Sequence, residues 1–296
     1  MKYVLTGSNG HISGPLAQKL VAAGHTVSVI TSKADKTEAI EKLGATALVG
    51  SLEDGDFLKS AFASADAVYL MIPPKWDVTN WIEYQTSLVV KLVDAVKANS
   101  VKNVVALSSV GAHMKNGCGP VDGLAVLEDH LAAVEGLNVK SLRPSYFFYN
   151  LFSMAGMAKH MGIIGSTQPA DHSLVLTDTS DIADVAFEEL NALNFNGFSV
   201  RYIASDERTW SEIASVLGAA IGKPELPFVE FTDEQSAQGM AQVGLAPAIV
   251  AGYVAMGQAL RSGDMERDFK ANRPSQFGKV KLEDFAKAFA GVYQNA

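Results

Sequence analysis

Gly7, Gly10 and Gly14 stand in the stretch YVLTGSNGHISGPLAQKL, where a short apolar run enters a glycine-rich loop and leaves it with helical spacing. Strand, loop and helix in this order suit a phosphate group. The first glycine permits a tight turn, the second lets backbone N–H groups approach a pyrophosphate, and the helix N-terminus adds partial positive charge. Ser8, Asn9, His11 and Ile12 complete the predicted cradle. The spacing is G-x-x-G-x-x-x-G, with Ser13 where a third glycine would complete G-x-x-G-x-x-G, and Ser13 is small enough for close helix packing. Alone, such a loop is also what any turn with positive φ looks like. Its place at the first strand of a repeating strand–helix series makes nucleotide binding the expectation.

The next strand decides which nucleotide. An NAD site places Asp or Glu near that strand's end, about 20 residues beyond the loop, to accept hydrogen bonds from the ribose 2′-hydroxyl. Here the strand ends VSVITSKADK, with Thr31, Ser32 and Lys33 at its end and Lys36 a turn later. Hydroxyls and cations without an acid favour a 2′-phosphate, so NADP(H) is expected over NAD(H). Asp35 falls too late in the turn to reach the ribose.

A proton donor is harder to find. A Tyr-x-x-x-Lys pair would serve, the lysine lowering the phenol's pKa so that it exchanges a proton near neutral pH. None of Tyr3, Tyr69, Tyr84, Tyr146, Tyr149, Tyr202, Tyr253 and Tyr293 has Lys four residues later. The helix that would carry the pair reads GLAVLEDHL, apolar where Tyr and Lys belong. Ser108 and Ser109 end a strand where a nicotinamide is expected, although paired serines there also simply bond nearby backbone. His113 follows on a loop and is of a residue type that can donate a proton at physiological pH, although an exposed loop histidine is commonplace. Ser109, His113 and Tyr146 are the candidate catalytic residues. Phe148, Asn150 and Met154 are candidates to line a substrate cleft, with plain core packing as the competing reading. No G-x-S-x-G elbow, no G-x-x-x-x-G-K-[ST] loop and no metal-binding His pair at i, i+4 occurs. Asp181 reads as an acidic helix start that complements the macrodipole. The only cysteine, Cys118, excludes an internal disulfide and any multi-Cys metal site.

The elements that must position these groups alternate. Apolar, β-branched runs at Tyr3–Leu5, Thr26–Ile30, Ala47–Val49, Ala67–Ile72, Asn103–Leu107 and Val139–Leu142 are separated by helical spacing at Pro15–Ala23, Lys36–Leu43, Asp56–Ala63, Val78–Ala98 and Gly123–Val134. This predicts an α/β chain with a doubly wound parallel sheet, the Rossmann arrangement, whose ligand binds outside the C-terminal strand ends. After Asn150 the alternation fades. Residues 1–150 are expected to form the NADP(H)-binding domain, with 174–204 packing back onto it, and 205–296 a smaller, mostly helical substrate or partner lobe. Within the uncharged stretch Gln235–Leu260, residues Ile249, Val250, Tyr253, Val254 and Leu260 suit one face of a pocket-covering helix rather than a membrane span.

The chain has 296 residues, 48% of them hydrophobic, and 24 Lys and Arg against 32 Asp and Glu, a formal charge of −8 without any basic cluster. That balance argues against nucleic-acid binding and against disorder. The N-terminus runs straight into a strand without a leader, so a cytoplasmic location is expected.

Taken in order, TGSNG, MIPP (Met71–Pro74), LSSVGAH (Leu107–His113), LRPSYFFYN (Leu142–Asn150), TSDIADVAFEEL (Thr179–Leu190) and TWSEIASVLGAAIGKP (Thr209–Pro224) resemble the NmrA-like branch of the atypical short-chain dehydrogenases/reductases over most of the chain. The resemblance implies an NAD(P)-binding Rossmann fold with a small C-terminal lobe. It also implies cofactor contacts from Met71, Ile72 and Pro73 and, near the adenine, from Ser51 and Leu52. Ser32 stands where many relatives carry Arg, and Ser51 where many carry Asp. Phosphate selectivity is therefore left to Lys33 and Lys36, and the adenine contact to the Leu52 backbone. The family contains NADPH-dependent reductases of quinones and alkenals, lignan-pathway reductases, and redox-sensing regulators. A reductase of a small apolar electrophile such as a quinone is the expected function. A non-catalytic NADP(H) sensor acting through a protein partner is the alternative.

Overall fold

The alternating runs become strands that all point the same way. The computed structural model describes residues 1–296. Its first half comprises Lys2–Leu5 (β1), Ser13–Ala22 (α1), Thr26–Thr31 (β2), Thr37–Glu41 (α2), Thr46–Val49 (β3), Gly55–Ala61 (α3), Ala67–Leu70 (β4), Trp81–Ala98 (α4), Asn103–Leu107 (β5), Asp122–Ala132 (α5) and Asn138–Pro144 (β6). The second half contains Tyr146–Phe147 (β7), Met154–His160 (α6), Ile164–Ser166 (β8), Ser173–Thr177 (β9), Thr179–Ala192 (α7), Phe198–Ile203 (β10), Asp206–Thr209 (β11) and Trp210–Ala220 (α8). Phe228–Glu230 (β12), Asp233–Gln242 (α9), Pro247–Arg261 (α10), Arg267–Ala271 (α11) and Leu282–Asn295 (α12) complete it.

The large sheet has the order β10-β6-β5-β4-β1-β2-β3. Every neighbouring pair in it is parallel. The direction of winding reverses between β1 and β4, which opens a crevice at their C-terminal ends, where a doubly wound sheet takes its ligand. Both faces are covered, so β4 at the centre is apolar along its length, with all four residues buried. Leu16, Leu20, Ile182 and Leu190 seal one face, from α1 and α7. Leu88, Leu92 and Val96 of α4, with Leu58 and Leu127, seal the other.

Segment 174–204 divides. β10 is the seventh strand of the large sheet, but β9 leaves it and lies between β7 and β11 in a three-stranded sheet. A third cluster, including Trp210, Leu217, Phe285 and Phe289, packs α8 and α12 around that small sheet. Buried Asp181 in the first turn of α7 accepts from Ser205 Oγ at 2.7 Å and from the Lys279 and Val280 amides at 3.1 and 3.3 Å. Beyond favouring the helix dipole, it ties α7 to the chain entering α12.

One buried ion pair joins the sheet to the helices outside it. Arg143 of β6 donates from Nε and Nη2 to Glu128 of α5 at 2.9 and 2.5 Å, and from Nη1 to Asp268 of α11 at 2.9 Å. Tyr202 of β10 completes the network by hydrogen bonding to Asp268 and accepting from Arg143. Burial disfavours the Arg143 charge, but Glu128 and the Tyr202 hydroxyl outweigh it, raise its pKa further and hold the guanidinium charged.

Candidate functional site

α1 starts differently from its neighbours. Asp54, Asn80 and Asp178 cap α3, α4 and α7 with side-chain oxygens, and Thr209 forms a capping box for α8. The N-cap of α1, Ile12, has no side chain that can do so. Within the loop only Ser8 N, Gly10 N and Gly14 N find backbone acceptors, in Ile30, Gly7 and Gly10. The amides of Asn9, His11, Ile12 and Ser13 are left without one. A helix start whose donors stay free is an anion site in waiting.

The loop's shape follows from its residues. Gly7 has φ +99°, and a Cβ there would overlap Ser13 Oγ. Ser13 is buried and donates to the Thr6 carbonyl at 2.8 Å, so the departure from a third glycine supplies a strut under the loop. Thr6 Oγ1 in turn accepts from Met71 N at 2.7 Å, locking β1 to the end of β4. Ser8, itself at φ +55°, donates from Oγ to Thr31 Oγ1 at 2.9 Å and fixes the loop against the end of β2. Ser32 and Lys33 lie exposed just beyond that contact, and Lys36 lies exposed on the short turn that begins at Ala34. No carboxylate pairs with either lysine. Ser51 is exposed after β3, its Oγ accepting from Glu53 N at 3.1 Å, while Leu52 is half-buried against the core.

From Gly7, Gly10 and Ile12 a cavity of about 610 Å³ runs along the strand ends toward α10. Met71 and Ile72 line it after β4, and Ser108, Ser109 and Val110 after β5. Pro74 faces it, whereas Pro73 does not. Ser109 Oγ donates to the Val110 carbonyl at 2.9 Å. The buried hydroxyls of Ser108 and Ser145, both on the lining, have no partner at all. Polar atoms left in that state at the ends of β5 and β6 call for a ligand. The loop, its free amides and these two hydroxyls are of a kind that fits a dinucleotide.

Tyr146 and Asn150 line the cavity, and His11 and Tyr149 stand beside them with ring centroids 4.6 Å apart. Burial pushes the Tyr146 phenol up to about 12, so it stays protonated, and raises that of neighbouring Tyr253 as well. Three expectations fail. Phe148 is fully buried and stacks on Phe285, centroids 5.3 Å apart, and Met154 packs in the same cluster, so neither meets the cavity. Both side chains point into the lobe's core because α12 returns to cover them. His113 is not on the lining either: its ring bonds the Asp264 carbonyl at 3.1 Å, as a tie between the β5 loop and the turn after α10. Cys118 is buried beside Met114, and burial lifts its thiol to about 11, which leaves it unreactive.

Several lining residues carried no signal beforehand. Tyr253 and Leu260 were legible as one face of α10, and Met256 joins them. Trp76, Trp81, Met265 and Glu266 were not, since nothing in the spacing of isolated residues reports that the α10–α11 turn closes on the β4 and β5 loops. The helix comes close because Gly119, at φ +54°, touches Gly252 backbone to backbone, where a Cβ would overlap the Gly252 carbonyl. No helix is long and apolar enough to cross a membrane, and no cluster of three or more His, Cys, Asp or Glu side chains suits a metal ion.

Comparison with known proteins agrees with this geometry. The profile of the NmrA-like family matches residues 2–236, and the chain belongs to that family. Agroclavine dehydrogenase from Claviceps fusiformis is 23% identical over 274 residues, 90% of this chain and 89% of its own. Among solved structures, the NADPH-dependent quinone oxidoreductase of Escherichia coli in complex with NADPH superposes with a TM-score of 0.77 at 18% identity, covering 97% of this chain and 99% of that one. The Citrobacter sp. triphenylmethane reductase complexed with NADP(H) gives 0.76 at 15% identity, with coverage of 97% and 99%. At these identities the likeness establishes a shared fold.

Proposed function

From NmrA-like membership and the site's geometry, we propose that this protein is an NADPH-dependent reductase of a small apolar electrophile such as a quinone. The observation that carries the reading is one continuous cavity. It starts at the unbonded amides of α1, passes the unpartnered hydroxyls of Ser108 and Ser145, and ends among Tyr146, Tyr253 and Leu260. A site that is apolar, aromatic and furnished with a few convergent polar groups suits a flat acceptor. Its relatives in fold include reductases crystallised with NADPH or NADP(H), which is consistent with this cofactor.

Asn9, His11, Ile12 and Ser13 would hold the pyrophosphate through their amides, with Gly10 admitting it to the backbone. Lys33 and Lys36 would meet a 2′-phosphate, and Ser51 and Leu52 would edge the adenine. When bound, NADPH supplies the hydride. The protein's part is then positional. It buries the acceptor beneath α10, excludes water with Trp76 and Tyr253, and orients it by hydrogen bonds from Ser109, Tyr146 or Asn150. Without a Tyr-x-x-x-Lys pair, rate must come from proximity and a dry site rather than from a strong general acid.

A panel of quinones and enals, followed by NADPH oxidation, tests the proposal. Turnover of a naphthoquinone with NADPH, and weaker use of NADH, is expected. No turnover with any acceptor, joined to clearly unequal affinity for NADPH and NADP⁺, would instead favour a redox sensor that signals to a protein partner.

A further inference from the structure

Three buried side-chain atoms of residues on the cavity lining have no hydrogen-bond partner: Ser108 Oγ, Ser145 Oγ and Gln85 Oε1. The two hydroxyls can turn to donate or to accept, but an amide oxygen can only accept. Gln85 lies on α4 and is 7% exposed. Its amide is held in one orientation. Nε2 donates to the Pro120 carbonyl at 3.2 Å, and the opposite rotation would set two acceptor oxygens face to face. On α5 a Cβ at Gly123 would overlap the amide, Oε1 included, so the missing side chain there makes the room that Gln85 fills. Donors nearby are spent or missing. Trp81, one turn earlier on α4, gives its indole N–H to the Lys75 carbonyl at 2.5 Å. Pro120 has no N–H. Val121 and Leu124, the lining residues beside Pro120 and Gly123, have apolar side chains. A buried acceptor without a donor favours whatever ligand supplies one. This part of the wall faces α10. A Cβ at Gly252 would stand 3.9 Å from the Trp81 ring, and Tyr253 meets that ring edge-on with centroids 5.5 Å apart.

We propose, resting on the reductase reading, that Gln85 determines substrate specificity: its Oε1 accepts a hydrogen bond from a hydroxyl or N–H that the substrate carries away from its reducible carbon. Ser108 and Ser145 follow β5 and β6, whereas Gln85 comes from α4, so recognition and reduction fall at separate points of one ligand. A bond made away from the reacting atom is present both before and during hydride transfer. It therefore selects which molecule binds and fixes its orientation, and it supplies no proton. The selection is asymmetric. A molecule without the donor expels water from the wall and strands the buried oxygen, whereas a purely apolar wall distinguishes two such molecules only weakly. Because Nε2 is tied to Pro120 and the amide is wedged against Gly123, Oε1 cannot swing away to find another partner.

The test uses 1,4-naphthoquinones carrying a hydroxymethyl group at ring position 2 or 6, each paired with the ethyl compound of the same shape. All four are titrated calorimetrically into the NADP⁺-loaded protein, where no hydride is available. In at least one pair the hydroxymethyl compound is expected to bind roughly ten- to a hundredfold more tightly. Gln85→Met, similar in volume but without the amide oxygen, should bring that preference within about twofold, with NADPH affinity as the control for folding. Under turnover the loss should fall on KM rather than kcat. Equal affinities in both pairs overturn the proposal, and they do so on the wild-type protein whether or not the variant folds. A preference that survives Gln85→Met overturns it too. In both cases turnover of unsubstituted naphthoquinone leaves the reductase reading standing. A Gln85-dependent preference without turnover of any substrate upholds the residue's role and overturns the reductase reading beneath it. Failure of all four compounds to bind overturns both.

Discussion

At Gly10 a Cβ would stand 2.9 Å from the Gly7 carbonyl, and any branch beyond it would occupy the space over the free amides of α1. Gly10→Val is therefore expected to abolish NADPH binding by fluorescence titration while the protein stays folded; retained binding would remove the loop from the site. Lys33→Ala should weaken NADPH by roughly 1 kcal/mol and leave NADH nearly unchanged, a modest effect because the lysine is exposed. Equal losses for both cofactors would deny it the 2′-phosphate. His113→Ala should cost about 1 kcal/mol of stability through its bond to Asp264 and little in turnover. A thousandfold fall in kcat with intact binding would make it the proton donor after all. Glycine positions and the missing acid at the end of β2 were legible because backbone conformation and charge sign are local properties. Phe148 and Met154 were not, because their burial depends on α12, which arrives from the far end of the chain.

The element that matters most is α10, and its seat is the Gly119–Gly252 contact. Gly119→Ala places a methyl group against backbone and also strains a left-handed residue, so the helix must shift outward. The expected result is an acceptor KM raised severalfold, faster amide hydrogen exchange along Pro247–Arg261, and unchanged NADPH affinity. A coupled loss of NADPH affinity would mean that α10 supports the cofactor end as well. The helices and strands up to β6 matched their apolar periodicity within a few residues, since alternation of period 2 and period 3.6 reports burial directly. Which sheet β9 joins was not legible. Its apolar run, SLVLT, reads the same in either sheet, and only the partners β7 and β11 decide which one it joins.

For the molecule as a whole, stability at high pH depends on buried phenols. Burial raises Tyr69, Tyr146 and Tyr253, with no charge nearby to offset it, and burial together with Asp268 raises Tyr202 against the lowering effect of Arg143. Each binds its proton more tightly folded than unfolded, so its contribution is full below the unfolded value near 10 and is lost as pH rises toward 12 and beyond. Urea unfolding should therefore show stability falling steeply above about pH 10, earlier than the arginine-based ion pairs would dictate. A flat profile there would mean that the phenols are accessible to water. Breaking the Arg143–Glu128 pair by Arg143→Met should cost about 3–5 kcal/mol, because it strands a buried carboxylate, and adding Glu128→Gln should recover part of the loss. In the proposed function, cofactor and acceptor meet at the ends of β5 and β6, and a crystal structure with NADPH bound is the decisive test. Pyrophosphate is expected on the Asn9–Ser13 amides, the carboxamide or ribose bonded by Ser108 or Ser145, and the nicotinamide C4 open toward Tyr146 and Tyr253. A nicotinamide lying outside the cavity, or one whose C4 is sealed by the protein's own side chains, would contradict it.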